Sequence, residues 1–306
     1  MNRLQSFPLL LLLSSFSSCI EFDQEKLTYV HDEEKDEIRL TLCYEGIFGN
    51  LKKSGQFASY QKTTEDKAAP EKLNQLQIEQ IESVLKEKQA FFFSNWIFEY
   101  NQKTLKEILK NEEEELTTEG KVFGKPEKEL IKALLDEIKV ENVGFYVDAK
   151  GRLCGAQTLR LSNASKVITL ANKVLGRQLK ARLPEMQNFT PETITLIREK
   201  LKDDFPFIRL KGNLLHLSMI MNRADQMKFS ENSLTQLPDG IRIDFSDEIL
   251  SMKCGSIDYK KGIISRECFN GYQTNALNYV KEKHSDLLLT KKEVGHHFRI
   301  FMSGMK

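Results

Sequence analysis

The stretch Val143-Gly144-Phe145-Tyr146-Val147-Asp148-Ala149-Lys150-Gly151-Arg152-Leu153, continuing to Leu161, decides the class of fold. Asp148 opens a four-residue turn, and Gly151 closes it with the left-handed backbone that follows a type I turn. The runs Val143 to Val147 and Leu153 to Leu161 are therefore predicted to fold back on each other as antiparallel strands. A second turn signal, Gly212-Asn213, sits between two alternating runs. A two-residue turn there places Leu210 opposite Leu215 and Ile208 opposite Leu217 on one face.

Outward from these hairpins, Ile38, Leu40, Leu42 and Tyr44 alternate with Arg39, Thr41, Cys43 and Glu45, the period of a half-buried strand, with Gly46 and Gly49 at its end. Ile241, Ile243 and Phe245 alternate in the same way. The dense run Phe91-Phe92-Phe93-Ser94-Asn95-Trp96-Ile97-Phe98-Glu99-Tyr100 carries large residues on both parities, as a strand covered on two faces does. Trp96, Phe98 and Tyr100 are read as core rather than as an aromatic binding platform.

Between the strands lie helical patterns. After Pro70, Leu73, Ile78, Ile81, Val84 and Leu85 fall on one side at about 100 degrees per residue, and a shorter pattern covers Thr104 to Lys110. Ser162 is placed to cap a helix whose core side uses Val167, Ile168, Ala171, Val174 and Leu175. Thr190-Pro191-Glu192 supplies a capping hydroxyl, a proline suited to the first helical position and an acid near the positive end. Ala276, Leu277, Tyr279 and Val280 mark a late helix. Antiparallel strands mixed with amphipathic helices give an α+β body with a largely antiparallel sheet.

The 306 residues leave room for one large domain or two lobes, and the acidic run Glu112 to Glu115 followed by a Gly- and Pro-containing stretch places any lobe boundary near 111–127. With hydrophobic residues at 40%, Gly 16 and Pro 7, the composition excludes disordered and collagen-like chains. The 45 basic and 44 acidic residues give a net charge of +1, too little for a general attraction to nucleic acid, which is not expected as a partner.

The first residues are of a different kind. Arg3 precedes the apolar run Phe7-Pro8-Leu9-Leu10-Leu11-Leu12-Leu13, and the small residues Ser14-Ser15-Phe16-Ser17-Ser18 follow it, the three-part form of an export signal. The run is far shorter than the ~20 apolar residues that span a hydrocarbon layer. Phe16-Ser17-Ser18-Cys19 resembles the lipobox of bacterial lipoproteins, an aliphatic residue and two small ones before an invariant cysteine. The resemblance covers the leader alone, and the body resembles no recognised family. It implies cleavage before Cys19, a diacylglyceryl group on the Cys19 thiol, and further acylation of the new amino terminus. Free secretion after cleavage near Ser17 or Ser18 is the alternative.

Loss of residues 1–18 removes Arg3 and no acid, so the mature chain carries equal numbers of basic and acidic side chains. Residues 19–37, with Glu21, Asp23, Glu25, Lys26 and the cluster Asp32 to Glu37, read as a charged tether, and 38–306 as the body. Ile20 is not the acidic residue that retains some lipoproteins at an inner membrane, so the resemblance allows anchoring at the cell membrane or the outer membrane. The body then stands in the periplasm or outside the cell.

Four further cysteines, Cys43, Cys154, Cys254 and Cys268, are compatible with disulfides in an oxidising compartment. If Lys260-Lys261-Gly262 turns a hairpin and Tyr259 faces Ile263, then Cys254 faces Cys268 at a separation a disulfide bridges, and that bond is predicted. No Cys-x-x-Cys pair, Gly-x-Ser-x-Gly elbow, phosphate loop or His-Glu-x-x-His helix occurs. Neither a metal nor an organic cofactor is expected, and no catalytic residue is assigned. Glu293, His296 and His297 are the nearest approach to a reactive cluster, but on a strand the two imidazoles point to opposite faces. His31, His216 and His284 stand alone in the sequence, with His216 on an outer sheet face. Asn163-Ala164-Ser165 and Asn188-Phe189-Thr190 match the glycosylation triplet, which carries meaning only in a eukaryotic secretory path.

These features lead to an expectation of a lipid-anchored cell-envelope protein with a binding or structural role. Its membrane contact is through Cys19, and the protein or glycan partner is left open. The alternative is an exported hydrolase with dispersed catalytic or metal-binding residues.

Overall fold

The computed structural model describes residues 20–50, 75, 78–79, 106, 109–110, 116–118, 121–186, 189–233, 241–254, 262–267 and 273–304. Strands β1 (Ile20–Asp32) and β2 (Glu37–Asn50) form a long hairpin closed by a turn at 33–36. Strand β1 occupies the stretch expected to be a charged tether. The reason lies in its parity: Leu27 and Tyr29 are buried, and their strand-mates Lys26 and Thr28 point to the opposite face, so the charges conceal a two-residue period. Strand β2 also runs past Gly46, which takes a left-handed φ of 69° within it instead of ending it.

A short hairpin, β3 (Leu116–Thr118) and β4 (Lys121–Phe123), precedes helix α1 (Lys125–Glu137). The stretch read as an inter-lobe linker thus holds, from Leu116 on, a hairpin and a helix start. Pro126 lies in the first turn of α1, where its missing N–H costs nothing. Helix α1 is tied to the later helix α2 (Ala164–Arg182) through the buried Glu127, which accepts from Gln178 at 2.8 Å and lies 3.5 Å from the Arg177 guanidinium.

Strands β5 (Ile138–Val147) and β6 (Leu153–Leu161) form the hairpin expected from Asp148-Ala149-Lys150-Gly151, with Gly151 at φ 74°. The Asp148 carboxylate accepts from the N–H groups of Lys150 and Arg152, both at 2.9 Å. Strand β6 pairs with β2, so β1, β2, β6 and β5 lie side by side in antiparallel register. A bulge between Asn142 and Gly144 bends β5. Gly144 adopts φ 145° there, and a Cβ on it would meet the Leu287 carbonyl oxygen at 2.8 Å, so the close approach of that segment requires glycine.

Helix α2 starts one residue later than the expected Ser162 cap. Its N-cap is Asn163, in left-handed conformation and without a side-chain bond, and the capping comes from the β1–β2 turn instead. The Ala164 N–H donates to the Asp36 carbonyl at 2.9 Å, and the Ser165 N–H and hydroxyl donate to the Asp36 carboxylate at 2.9 and 2.6 Å. Helix α3 (Pro191–Lys200) follows, capped by Thr190 as expected. Strands β7 (Ile208–Lys211) and β8 (Leu214–Ile220) keep the predicted register, Leu210 with Leu215 and Ile208 with Leu217.

Helix α4 (Arg223–Ser233) leads to β9 (Ile241–Phe245) and β10 (Ile249–Cys254), and the four strands form a second antiparallel sheet in the order β7-β8-β10-β9. The chain then returns to the first sheet. Strand β11 (Gly262–Glu267) adds to β1, β12 (Gln273–Asn275) pairs with the last residues of β2, and after helix α5 (Ala276–Lys283) the short β13 (Leu288–Leu289) adds to β5 in parallel. Helix α6 (Lys291–Ser303) closes the described chain. This is the α+β architecture with mainly antiparallel sheets. Among the described residues no helix is long and apolar enough to cross a membrane.

The predicted hairpin between Cys254 and Cys268 does not form. Both edges of β10 are taken, by β8 and β9, and β11 is recruited by β1, so Cys254 has no β11 residue opposite it. The Cys254 thiol is free, and Cys268 lies outside the described residues. Also outside them are the leader 1–19, the aromatic run 91–100, the acidic run 112–115, and most of the two helical patterns between Pro70 and Lys110. Gln75, Ile78, Glu79, Lys106, Leu109 and Lys110 are helical within those patterns.

The two faces of the large sheet are covered differently. One carries Leu27, Tyr29, Leu42, Tyr44 and Leu159 against Ala276 and Val280 of α5. The other carries Tyr146, Cys154 and Ala156 beneath Val294 and Phe298 of α6. The second sheet joins the first face through Tyr29. Its hydroxyl lies 2.7 Å from the carbonyl oxygens of both Asn213 and Cys254 and accepts from the Leu215 N–H at 3.3 Å. Burial pushes this phenol up to about 12 against the partly opposing bond from Leu215. Because folding raises it, its stabilising contribution is complete below the ordinary tyrosine value of about 10 and is lost as pH rises through about 12. Tyr29→Phe keeps the ring but removes the hydroxyl that these buried backbone groups share. A loss of about 2 kcal/mol in urea unfolding is expected, and a change under about 0.5 kcal/mol would show that the hydroxyl does not join the sheets.

Candidate functional site

Helix α2 runs alongside the edge strand β7, and Asn172 bonds it to the strand edge. The Asn172 carboxamide donates to the Ile208 carbonyl at 2.9 Å and accepts its N–H at 2.8 Å, occupying the strand edge as a neighbouring strand would. Towards the Gly212-Asn213 turn the two elements separate, and a groove of about 680 Å³ opens between them. Its floor is apolar, with Ile168, Ile208 and Leu210, and its rim carries His31, Arg209, Lys211 and His216.

The β1–β2 hairpin closes one end of the groove. The His31 N–H donates to the Asn213 side-chain oxygen at 2.6 Å, and His31 Nδ1 lies 3.2 Å from the Gly212 carbonyl. The Gly212 N–H donates to the Glu33 carboxylate at 2.9 Å. Gly212 takes φ 54°, the left-handed backbone its two-residue turn demands. Asp36 also lines the groove, but its carboxylate is engaged by the first turn of α2.

Two histidines that stand alone in the sequence thus share one groove. Outer-face placement of His216 is as expected. His31 comes beside it only because β1 is a strand of the sheet, which composition concealed. Directly across from His216 stand Arg209 on β7 and Lys253 on β10, and across from Lys253 stands Arg242 on β9. Burial lowers the His216 imidazole below its ordinary value, and the neighbouring cations of Arg209, Lys253 and Lys211 lower it further against the opposing charge of Asp244. It is the neutral form that this environment favours.

No protein-family model matches the chain, and no curated protein or solved structure matches it either. The chemistry of the groove rests on its own residues.

The other sequence candidates are dispersed. Glu293 is the third residue of α6, and its carboxylate accepts the Thr290 N–H at 2.7 Å and hydroxyl at 2.8 Å while Thr290 accepts the Glu293 N–H, a reciprocal capping box. These bonds hold the carboxyl below its ordinary value. His296 and His297 lie on that helix, not on a strand, and both are exposed. Among the described residues no three His, Cys, Asp or Glu side chains gather as a metal site would need. Asn163 and Ser165 frame the start of α2, and Asn188 lies outside the described residues.

Cys43, Cys154 and Cys254 are free thiols. Cys43 and Cys154 flank the Tyr146 hydroxyl, which donates to Cys43 Sγ at 3.8 Å. Burial pushes the Cys154 and Cys254 thiols up to about 11 and raises Cys43 as well, so little nucleophilic thiolate exists at neutral pH. Alkylation at about pH 8 without reductant is expected to spare all three in the folded protein and to modify all three in urea. A non-reducing peptide map containing a Cys254–Cys268 linkage would contradict the strand order. In an NMR titration, His216 is expected to have a midpoint below about 6.5 that rises in Lys253→Gln. An unmoved midpoint would show that the cation row does not act on it.

Proposed function

We propose that the chain is a lipid-anchored cell-envelope protein whose α+β body has a binding role rather than a catalytic one. The observation that carries this reading is Phe16-Ser17-Ser18-Cys19 at the end of an export-like leader. Two or more acyl chains, at about 0.8 kcal/mol per buried methylene, hold a folded domain at a membrane without any contribution from the body.

Under this reading the fold sets how the body stands. Strand β1 begins at Ile20, next to the acylated position, so no spacer separates the anchor from the large sheet. At about 3.3 Å per residue, the eleven steps from Ile20 to His31 put the groove about 36 Å along the strand from the anchor. The groove end of the sheet then faces away from the membrane. The hydrolase alternative draws no support from Glu293, His296 and His297, because the carboxylate caps its own helix and the imidazoles face solvent.

The test compares exported wild-type protein with Cys19→Ala by intact mass and membrane fractionation. Expected are a lipid-sized increment lost in the variant and its release from membranes. A soluble, unacylated wild-type product beginning near Cys19 would instead support free secretion.

A further inference from the structure

The outward face of the small sheet carries an arrangement that stability alone does not favour. Arg209, His216, Lys253 and Arg242 stand directly opposite one another on four successive strands, in the order β7, β8, β10, β9. Lys253 and Arg242, like charges directly opposite each other, destabilise the sheet, and Arg209 and Lys253 flank an imidazole whose charged form they disfavour. One neutralising pair is present, between Lys253 and Asp244. Arg209, Lys211 and Arg242 are exposed, and no described carboxylate pairs with them.

Three strand spacings of about 4.8 Å make the row about 14 Å long. At its β7 end Arg209 and His216 also line the groove, where Ile168 of α2 and, from the other face of the edge strand, Ile208 and Leu210 supply apolar surface beside Lys211 and His31. Two nearby carboxylates are hydrogen-bonded to backbone N–H groups. Asp36 caps α2 and Glu33 accepts the Gly212 N–H.

We infer that this row and groove form the binding site for a linear acidic polysaccharide, its carboxylate or phosphate groups on the cations and a sugar ring over the apolar floor. A linear polyanion matches a straight row of cations, and the C–H faces of sugar rings match an apolar floor beside polar groups. A flat anionic bilayer fits a recessed apolar surface poorly. The choice of a glycan over other polyanions rests on the envelope reading, since glycans are the polyanions found there. The site itself does not depend on the anchor.

His216 supplies a signature of occupancy. The groups facing it are Arg209 and Lys211 from β7, Lys253 from β10 and Asp244 from β9. Asp36 is the charged lining group on the β1–β2 side, beside His31, and α2 places no charged side chain among the lining residues. A bound anion offsets the three cations, so the His216 midpoint rises on binding and affinity strengthens as pH falls through it.

The test titrates the full-length protein with polygalacturonate, a teichoic-acid-type polyphosphate glycan and neutral dextran, and separately with vesicles rich in phosphatidylglycerol. Expected is saturable binding to one or both acidic glycans and none to dextran. With three unpaired cations engaged, affinity should fall about 20-fold over a fourfold rise in salt. Arg209→Gln and Arg242→Gln should each weaken binding about fivefold. Lys292→Gln, an equal charge change on α6 across the other face of the large sheet, should leave it unaltered. Preference between the two glycans separates carboxylate from phosphate as the recognised group.

Absence of acidic-glycan binding at low salt would overturn the inference, as would equal effects of Arg209→Gln and Lys292→Gln. Vesicle binding through Arg209 and Arg242 without glycan binding would overturn it in favour of a membrane surface. Since the titration does not use Cys19, failure of lipidation and failure of glycan binding are separately observable.

Discussion

The Tyr29 hydroxyl is the point on which the two sheets depend. Its ring lies in the core of the large sheet, and its oxygen sits between two carbonyls and an N–H of the small one. A phenol has one proton, so it donates to Asn213 or to Cys254 at any moment while accepting from Leu215. All three backbone groups are near the turn of β7 and β8 or the end of β10, where strand pairing runs out. One side chain thus supplies polar partners at the place where both sheets need them, and places the turn at Gly212 against His31.

The groove follows from that fixed point. Asp36, at φ 49° in the β1–β2 turn, holds the first turn of α2, while Asn172, two turns further along, holds the same helix to β7. Between these two fastenings the helix and strand diverge, so the open space is bounded by hydrogen bonds and not by loose packing. Its walls come from elements far apart in the chain. Their basic side chains meet because β7, β8, β10 and β9 are in register, and no interaction within the described protein neutralises Arg209, Lys211 or Arg242. Repulsion of this kind lowers stability, and an anionic ligand relieves it.

Local pattern made much of this fold legible. Asp148 to Gly151 and Gly212-Asn213 specify turns whose geometry needs those residues, so both hairpins and their registers could be read directly. The Thr190 cap and the buried face of α5 are legible for the same reason. What failed was the choice of distant partners. The charge of residues 19–37 outweighed the period of Leu27 and Tyr29, although a strand with one covered face carries charges on the other. Lys260 to Gly262 suggested a local hairpin, yet β11 gains more by completing the edge of β1. His31 and His216 carry no mutual signal in sequence, since their proximity is a property of the sheet order.

The same misreading bears on how an anchored body would be held. A flexible tether would leave the domain free to rotate above a membrane and would say nothing about which surface is presented. A strand that begins at Ile20 and pairs with β2 and β11 would make the direction of the large sheet continuous with an anchor at Cys19. Acylation at Cys19 would then bring the start of β1, the end of β2 and β12 near the lipid, with the Asp32 to Glu37 turn furthest from it. The groove and cation row lie towards that distal turn through the contacts of His31 and Glu33 with Gly212 and Asn213. The feature that removes the spacer is therefore the one that would give the basic surface an outward direction on an anchored body.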